Sequence, residues 1–250
     1  MIFTFEYSPG CKGDFFLPES KAAADGYPAI LLIHGGAWSS MDRSAVSGIA
    51  EMLCRNGYAV FNIDYRLAPE YTWPCGIDDC ILALKYLIEK IVPAFKLDSK
   101  HIFVMGASSG GHYALITGLR ATGKCIAGII SISGINDVFS DFRLHPERYI
   151  CLLGHIPTTE ELKKLDPAEY YYKGAPPIFC THFIRDKVVA ADCSLRFTRK
   201  IKEKSGTAEL YIYDFNRDGE GHAIWRSETM PKQLYTDLEQ KILFFLRNLI

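Results

Sequence analysis

Six short apolar runs alternate with longer stretches of helical character, and this alternation constrains the fold more than any other feature of the chain. The runs are rich in Ile, Val, Phe and Tyr, and several are apolar almost throughout. Such runs are typical of strands buried on both faces of a parallel sheet. The predicted strands span 29–34, 58–64, 101–106, 126–133, 177–183 and 208–214. Strands that alternate with helices predict a doubly wound α/β sheet with right-handed crossovers.

Helices are predicted between these strands from the spacing of apolar residues. In residues 76–91, for example, Ile77, Ile81 and Leu84 recur at helical spacing. The predicted helices span 43–56, 76–91, 109–121, 190–204 and 230–249. At the N-terminus, IFTFEY and DFFLP flank Pro9-Gly10 and predict an antiparallel hairpin that adds edge strands to the sheet.

Residues 135–176 interrupt the alternation of strands and helices. They hold several prolines and three adjacent tyrosines, and they are too long and irregular for a plain connection. We predict a helical excursion over the end of the sheet that serves as a lid or a substrate wall. A length of 250 residues fits one large domain of this class, so we expect a single α/β domain over 1–250.

Composition excludes several classes of function. With 28 basic and 29 acidic residues the formal net charge is −1, and no basic run indicates nucleic-acid binding. No apolar run reaches the roughly 18 residues of a membrane span. The N-terminus does not resemble a secretion signal, and the eight cysteines form no C-x-x-C pair or zinc spacing. We expect free thiols in a cytoplasmic protein without a metal, the alternative being a secreted form whose signal was removed.

The strongest motif is G-A-S-S-G at residues 106–110, between a predicted strand and a predicted helix. This context is the one in which G-x-S-x-G forms a nucleophile elbow, a sharp turn that exposes a serine hydroxyl above the sheet. Glycines on both sides let the strand and the helix approach closely. Ser108 has Gly106 and Gly110 in these places, whereas Ser109 would have Ala107 and Gly111. We therefore predict Ser108 as the nucleophile.

The sequence HGGAW at residues 34–38 directly follows the first buried strand. Acyl transfer requires backbone N–H donors that stabilise a tetrahedral oxyanion. Gly35 and Gly36, together with the N–H of Ser109, are the predicted donors. We expect His34 to tie this loop down. Trp38 either lines the acyl pocket as a substrate-binding residue or packs in the core.

A serine nucleophile needs a histidine base and a carboxylate that orients it, in the chain order Ser, Asp or Glu, His. We predict Asp186, just past the strand 177–183, as the acid and His222, in the glycine-rich DGEGHAIW segment, as the base. Rival acids are Asp192, Asp214 and Asp218. The other downstream histidines are expected to pack in the core or to lie in the excursion: His112, His145, His155 and His182.

The motifs HGGAW, DYRLAPE (64–70) and GASSGG (106–111) occur in the order that resembles the hormone-sensitive-lipase-like branch of the α/β-hydrolases. The clear match covers residues 28–112. The resemblance implies an α/β-hydrolase fold, carboxylic-ester hydrolysis and no cofactor, with Asp64 and Arg66 holding loops. Members of this branch carry a long N-terminal cap before the HGG loop. Only 33 residues precede His34, so the chain looks closer to compact, acetyl-esterase-like members.

The expected function is therefore hydrolysis of short-acyl, small-molecule esters through an acyl-enzyme, with the oligomeric state open. A chain similar to kynurenine formamidases, or a peptidase-like hydrolase, would use the same triad on amides, and the motifs do not separate these activities. Another alternative is a ligand-binding protein on the same scaffold, which predicts a broken triad.

Overall fold

The computed structural model describes residues 1–121, 126–214, 221–222 and 235–250, and its centre is an eight-stranded sheet. The strands are β1 (Ile2–Ser8), β2 (Cys11–Phe16), β3 (Ala29–Ile33), β4 (Ala59–Ile63), β5 (Ile102–Ala107), β6 (Ile126–Ile132), β7 (Ile178–Phe183) and β8 (Ala208–Tyr213). Their order in the sheet is β1-β2-β4-β3-β5-β6-β7-β8. The β1–β2 hairpin is antiparallel, β2 runs antiparallel to β4, and the remaining neighbours are parallel. The predicted fold class is confirmed.

Helices connect the strands where helical spacing predicts them. They are α1 (Ser47–Arg55), α2 (Cys75–Tyr86), α3 (Val92–Phe95), α4 (Ser109–Arg120), α5 (Val138–Leu144), α6 (Pro146–Leu153), α7 (Thr159–Leu165), α8 (Asp192–Glu203) and α9 (Thr236–Arg247). The helix predicted over 43–56 is divided into a 3-10 turn at Arg43–Val46 and α1. The helix predicted over 230–249 begins outside the described residues. None of the described helices is long and apolar enough to cross a membrane.

Two apolar layers cover the two faces of the sheet. Successive side chains of β3 alternate between them: Leu31 and Ile33 pack in the layer that includes α2 and α4, and Ile30 and Leu32 in the layer that includes α1 and α9. All four side chains are fully buried. Burial on both faces explains why this strand reads as an unbroken apolar run.

Residues 135–176 form a helical excursion, as predicted, made of α5, α6, α7 and a 3-10 turn at Pro167–Tyr170. Helix α7 begins with a capping box between Thr158 and Glu161. Ion pairs help to fasten the excursion to the sheet domain. Lys200 of α8 lies 3.1 Å from Asp137 and 3.3 Å from Asp166. One lysine thus pairs with two carboxylates of the excursion, and the role of the excursion as a lid or substrate wall stays a prediction.

Parallel strands end at the same edge of a sheet, and ligands bind there in open α/β sheets. Three loops at this edge carry residues singled out above. Gly35 follows β3, Ser108 follows β5, and Asp186 follows β7. The sheet order therefore brings together residues that lie far apart in the sequence.

Candidate active site

Ser108 occupies the sharp turn between β5 and α4. Its backbone has φ 56° and ψ −126°, a conformation that costs a residue with a side chain of order 1–3 kcal/mol. Two hydrogen bonds hold this turn in place: Ser108 N–H donates to Ile132 O at 2.8 Å, and Ser108 O accepts from Gly111 N–H at 2.9 Å. The strained serine is thereby fixed at the edge of the sheet, at the first residue before a helix.

The glycines of the motif satisfy a steric requirement. A Cβ on Gly110 would lie 2.3 Å from the carbonyl oxygens of Ile33 and His34, so α4 contacts the end of β3 directly. A Cβ on Gly106 would likewise collide with the backbone of Gly110. Side chains at either place would push the strand and the helix apart and move Ser108 with them.

The HGGAW loop touches the elbow. A Cβ on Gly35 would lie 2.9 Å from the Cβ of Ser108. Gly36 has φ +116°, which favours glycine, and its carbonyl oxygen accepts from Ser40 N–H at 3.0 Å. His34 is buried, its ring stacks on that of Tyr65 with 4.3 Å between centroids, and Tyr65 Oη donates to His34 O at 3.1 Å. As expected, these contacts tie the loop down.

The Trp38 side chain is buried among other rings. The residue is only 1% exposed and its ring packs edge-on against His112 and Tyr149. Of the two alternatives, this burial favours packing in the core, and substrate binding by Trp38 stays a prediction. The backbone still contacts the elbow, because Trp38 N–H donates to Ser109 Oγ at 3.2 Å.

His222 bridges Ser108 and Asp186. Its Nε2 lies 2.8 Å from Ser108 Oγ, and its Nδ1 lies 2.8 Å from Asp186 Oδ2. A carboxylate only accepts, so Nδ1 carries the proton and Nε2 presents a lone pair to the serine hydroxyl. A serine, a histidine and a carboxylate are thus in hydrogen-bond contact, the geometry that a nucleophile, its base and an orienting acid require.

Asp186 is buried and fully hydrogen-bonded. Its Oδ1 accepts from the backbone N–H groups of Val188 and Val189, each at 2.9 Å. Burial raises the pKa of this carboxyl, but hydrogen bonds from His182, His222 and Val189 outweigh that effect and hold the pKa well below its usual range. Asp186 is therefore ionised at neutral pH. The rival acid Asp214 pairs instead with Arg185 at the surface.

The remaining predicted histidines do not reach Ser108. His112 is buried on α4 and its Nε2 lies 2.7 Å from Leu165 O, so it packs, as expected. His145 and His155 pair with Glu147 and Glu161 on the excursion. Asp218 lies outside the described residues.

Two buried polar contacts were not predicted from the sequence. Asp79, fully buried, accepts from the backbone N–H, Nε and Nη2 of Arg66, so Arg66 holds its loop through Asp79. His182, fully buried in β7, lies 3.3 Å from Asp186 Oδ2. The only indication of this contact in the sequence was a histidine inside an apolar strand, four residues before the proposed acid.

In the part of the chain that the structure describes, no group of three or more His, Cys, Asp or Glu side chains is arranged to hold a metal ion. The described cysteines are free thiols.

A mostly parallel eight-stranded sheet with a serine elbow after β5 defines an α/β-hydrolase. Within this class, the chain belongs to the BD-FAE family, whose model matches residues 14–201.

Similar proteins include enzymes and a receptor. The chain is 27% identical over 220 residues to the esterase LipC of Mycobacterium tuberculosis, covering 79% of this chain and 53% of LipC. It is 36% identical over 154 residues to a gibberellin receptor of Arabidopsis thaliana, covering 59% of this chain and 40% of the receptor. The chain thus spans about half the length of these relatives.

Solved structures share the fold. An acetyl ester-xyloside bifunctional hydrolase from Caldicellulosiruptor lactoaceticus superposes with a TM-score of 0.77 at 19% identity, covering 94% of this chain and 88% of that one. A truncated carbohydrate esterase from gut microbiota superposes with a TM-score of 0.80 at 22% identity, covering 95% and 90%.

Proposed function

We propose that this protein is a serine esterase in which Ser108 is the nucleophile, His222 the general base and Asp186 the orienting acid. One observation carries the proposal: His222 contacts Ser108 Oγ through Nε2 and Asp186 through Nδ1, at 2.8 Å each. Folding alone does not require that a strained, positive-φ serine be hydrogen-bonded to a histidine that also contacts a carboxylate. Membership of an esterase-type hydrolase family supports it.

In the proposed reaction, Ser108 Oγ attacks the ester carbonyl carbon while its proton passes to His222 Nε2. The resulting imidazolium is stabilised by the ionised Asp186. His222 then returns the proton to the leaving alcohol, which departs as the C–O bond breaks and an acyl-enzyme remains. Water attacks this acyl group with His222 again as base, which releases the carboxylic acid and restores Ser108.

The tetrahedral intermediates carry an oxyanion, and we assign its donors to the backbone N–H groups of Gly35, Gly36 and Ser109. Gly35 lies against Ser108 and Ser109 begins α4, so two of these three residues adjoin the proposed nucleophile. The N-terminus of a helix favours negative charge. One such donor typically contributes about 10²–10³ in rate.

We propose short acyl groups such as acetyl as the preferred acids, on small-molecule alcohols. The structural neighbours include a hydrolase described as acting on acetyl esters and a carbohydrate esterase, which supports this class. A panel of acetylated sugars and p-nitrophenyl esters of increasing chain length tests it. We expect kcat/KM to be highest for acetyl and to fall with each added pair of carbons. N-formylkynurenine in the same panel separates ester from amide hydrolysis.

The assignment of Ser108 is tested by Ser108→Ala with p-nitrophenyl acetate as substrate. The serine hydroxyl is essential to the proposed chemistry, so hydrolysis should fall to background while circular dichroism and thermal unfolding stay unchanged. Ser99→Ala, at an exposed serine, is the matched control and should keep full activity. Retained hydrolysis in Ser108→Ala would refute the assignment.

A second candidate, a small-molecule receptor, is favoured by the likeness to the gibberellin receptor. Reaction with a fluorophosphonate probe separates the two. An esterase with an activated Ser108 should be labelled at that residue, whereas a receptor without a working triad should stay unlabelled at equal probe concentration. Labelling in the wild type and its loss in Ser108→Ala would favour the enzyme.

A further inference from the structure

A row of buried polar side chains connects to Asp186 through His182. Its members all have 0% exposure: Ser131, Asn136, Ser194 and His182. Ser131 Oγ lies 2.8 Å from Asn136 Oδ1, and Asn136 Nδ2 lies 3.0 Å from Ser194 Oγ. Ser194 Oγ lies 2.8 Å from His182 Nδ1. Burying four polar side chains between a strand and a helix costs free energy unless each is paired, and an apolar core would avoid that cost.

The atoms that can only accept a hydrogen bond determine which atom donates in each of these contacts. His182 Nε2 lies 2.9 Å from Val189 O and 3.3 Å from Asp186 Oδ2, two atoms that can only accept. Nε2 must therefore carry the proton and share it between both. Nδ1 is then the acceptor of the Ser194 hydroxyl proton. Ser194 in turn accepts from the Asn136 amide, so one tautomer of His182 satisfies every contact.

His182 and His222 thus converge on the same oxygen. Oδ2 of Asp186 lies 2.8 Å from His222 Nδ1 and 3.3 Å from His182 Nε2, while Oδ1 accepts from two backbone N–H groups. The side chains of His182 and Asp186 are both inaccessible to solvent. Without water to solvate it, the carboxylate depends on these four donors.

Other ionisable groups around Asp186 are engaged elsewhere. Tyr213 of β8 is buried, which raises its pKa well above the usual value, so it is neutral in the working range. Arg185 pairs with Asp214. Arg148 of α6 contacts Asp141 and Val188 O, and Lys187 is exposed.

We propose that His182 is a positioning residue for the esterase reaction, which keeps Asp186 ionised and aimed at His222 by donating its Nε2–H to Oδ2. This inference rests on the proposed function, because it concerns the same site. Removing the donor makes the Asp186–His222 pair easier to protonate. The pair would then take up its proton at a higher pH, and the reaction would fail earlier on acidification.

Two amide substitutions provide a matched test. The amide nitrogen of glutamine reaches the position of Nε2, so His182→Gln keeps a donor toward Asp186. The amide nitrogen of asparagine lies near the position of Nδ1 instead. His182→Asn therefore removes the donor toward Asp186 but keeps an amide side chain, as in His182→Gln. We would measure kcat/KM for p-nitrophenyl acetate and the rate of fluorophosphonate labelling of Ser108, each as a function of pH.

We expect the acid limb of both profiles to move up by about one pH unit in His182→Asn, the order of effect of one hydrogen bond to a charged group. In His182→Gln the limb should stay near its wild-type position. Equal displacement in the two variants, or an equal loss at every pH with the limb unmoved, would overturn the proposal, because a merely structural role predicts those results.

Ser194→Ala is the further variant should His182→Asn not fold. It removes the hydroxyl that selects the tautomer, so the acid limb should move in the same direction; an unmoved limb would overturn the proposal. Failure of the proposed function is recognised separately. Wild-type protein that neither hydrolyses esters nor reacts with fluorophosphonate refutes the esterase assignment without any His182 variant. Wild-type protein that is labelled but inactive on esters still tests His182 through the labelling profile.

Discussion

Gly106 at the end of β5 lies in direct contact with the carbonyl group of Gly110 in α4: a Cβ on Gly106 would lie 2.1 Å from that oxygen. The two backbones approach too closely for any side chain. Because Ser108 lies between them, this contact sets the height of the nucleophile above the sheet.

Gly106→Ala should therefore lower both stability and activity. Overpacking of this kind costs about 1–3 kcal/mol, and the displaced Ser108 should lose its contact with His222 and most of kcat/KM. Gly57→Ala is the control. Gly57 has φ +88° but open space around its Cα, so the strain costs about 1–2 kcal/mol and activity should remain. Urea unfolding and p-nitrophenyl acetate kinetics on both variants check this, and full activity in Gly106→Ala would contradict it.

Gly35→Ala tests the oxyanion loop. The added methyl group would lie 2.9 Å from Ser108 Cβ and from Ala107 O, so the loop must move away from the elbow. A misplaced donor matters mainly in the transition state, so kcat should fall by about 10²–10³ with KM little changed. A raised KM with an unchanged kcat would instead indicate that the loop only binds substrate. Gly10→Ala, in the open β1–β2 turn, should leave both constants unchanged.

The ion pair between Arg66 and Asp79 should contribute substantially to stability. Arg66→Ala leaves the fully buried Asp79 carboxylate without its guanidinium. The expected loss is about 2–3 kcal/mol, below the range for fully buried pairs because the Arg66 side chain is 37% exposed. Arg196→Ala breaks a pair with Asp192 in which both side chains are more than half exposed, so the loss of stability should be much smaller. Urea unfolding measures both losses, and an equal decrease in the free energy of unfolding of the two variants would contradict this prediction.

Stability should fall on acidification in part through His112. Burial lowers the pKa of this histidine to about 4, against 6.5 for the free side chain. Between these two values the unfolded chain binds the proton and the folded chain does not, so the contribution to stability is present above pH 6.5 and is lost as the pH falls toward 4. The loss by pH 5 is at most about 2 kcal/mol.

His112→Gln should make the free energy of unfolding less dependent on pH between 7 and 5. Glutamine can donate to Leu165 O but does not titrate, so the comparison isolates the proton. Urea unfolding at several pH values measures the slope. A slope identical to that of the wild type would show that His112 is not the group responsible.

Local patterns in the sequence predicted the elements well, because periodicity and steric demands act over a few residues. The apolar runs predicted β3 to β8 to within one or two residues at each end, and the G-A-S-S-G spacing predicted the turn at Ser108. The division of 43–56 was missed, since the hydrogen bond from Ser44 N–H to Asp42 Oδ1 that begins the 3-10 turn competes with a continuous helix.

Side-chain surroundings were harder to predict. Trp38 stands beside the oxyanion loop in the sequence, yet its ring points into the core between α4 and the excursion. The role of His182 was equally hidden, because a buried histidine in a strand looks the same whether or not a carboxylate lies nearby. Which partner a side chain contacts depends on how distant elements pack, and the local spacing of residues in the sequence does not indicate this. The single-domain organisation over 1–250 stays a prediction.

The sequence by itself determined the doubly wound sheet, the strained serine and the glycines that surround it, since each follows from the size and spacing of neighbouring residues. Only the tertiary structure decided that His222 meets Ser108, 114 residues away, and Asp186, 36 residues away. These contacts exist because the parallel strands end side by side at one edge of the sheet, a consequence of strand order. The same packing placed His182 behind Asp186.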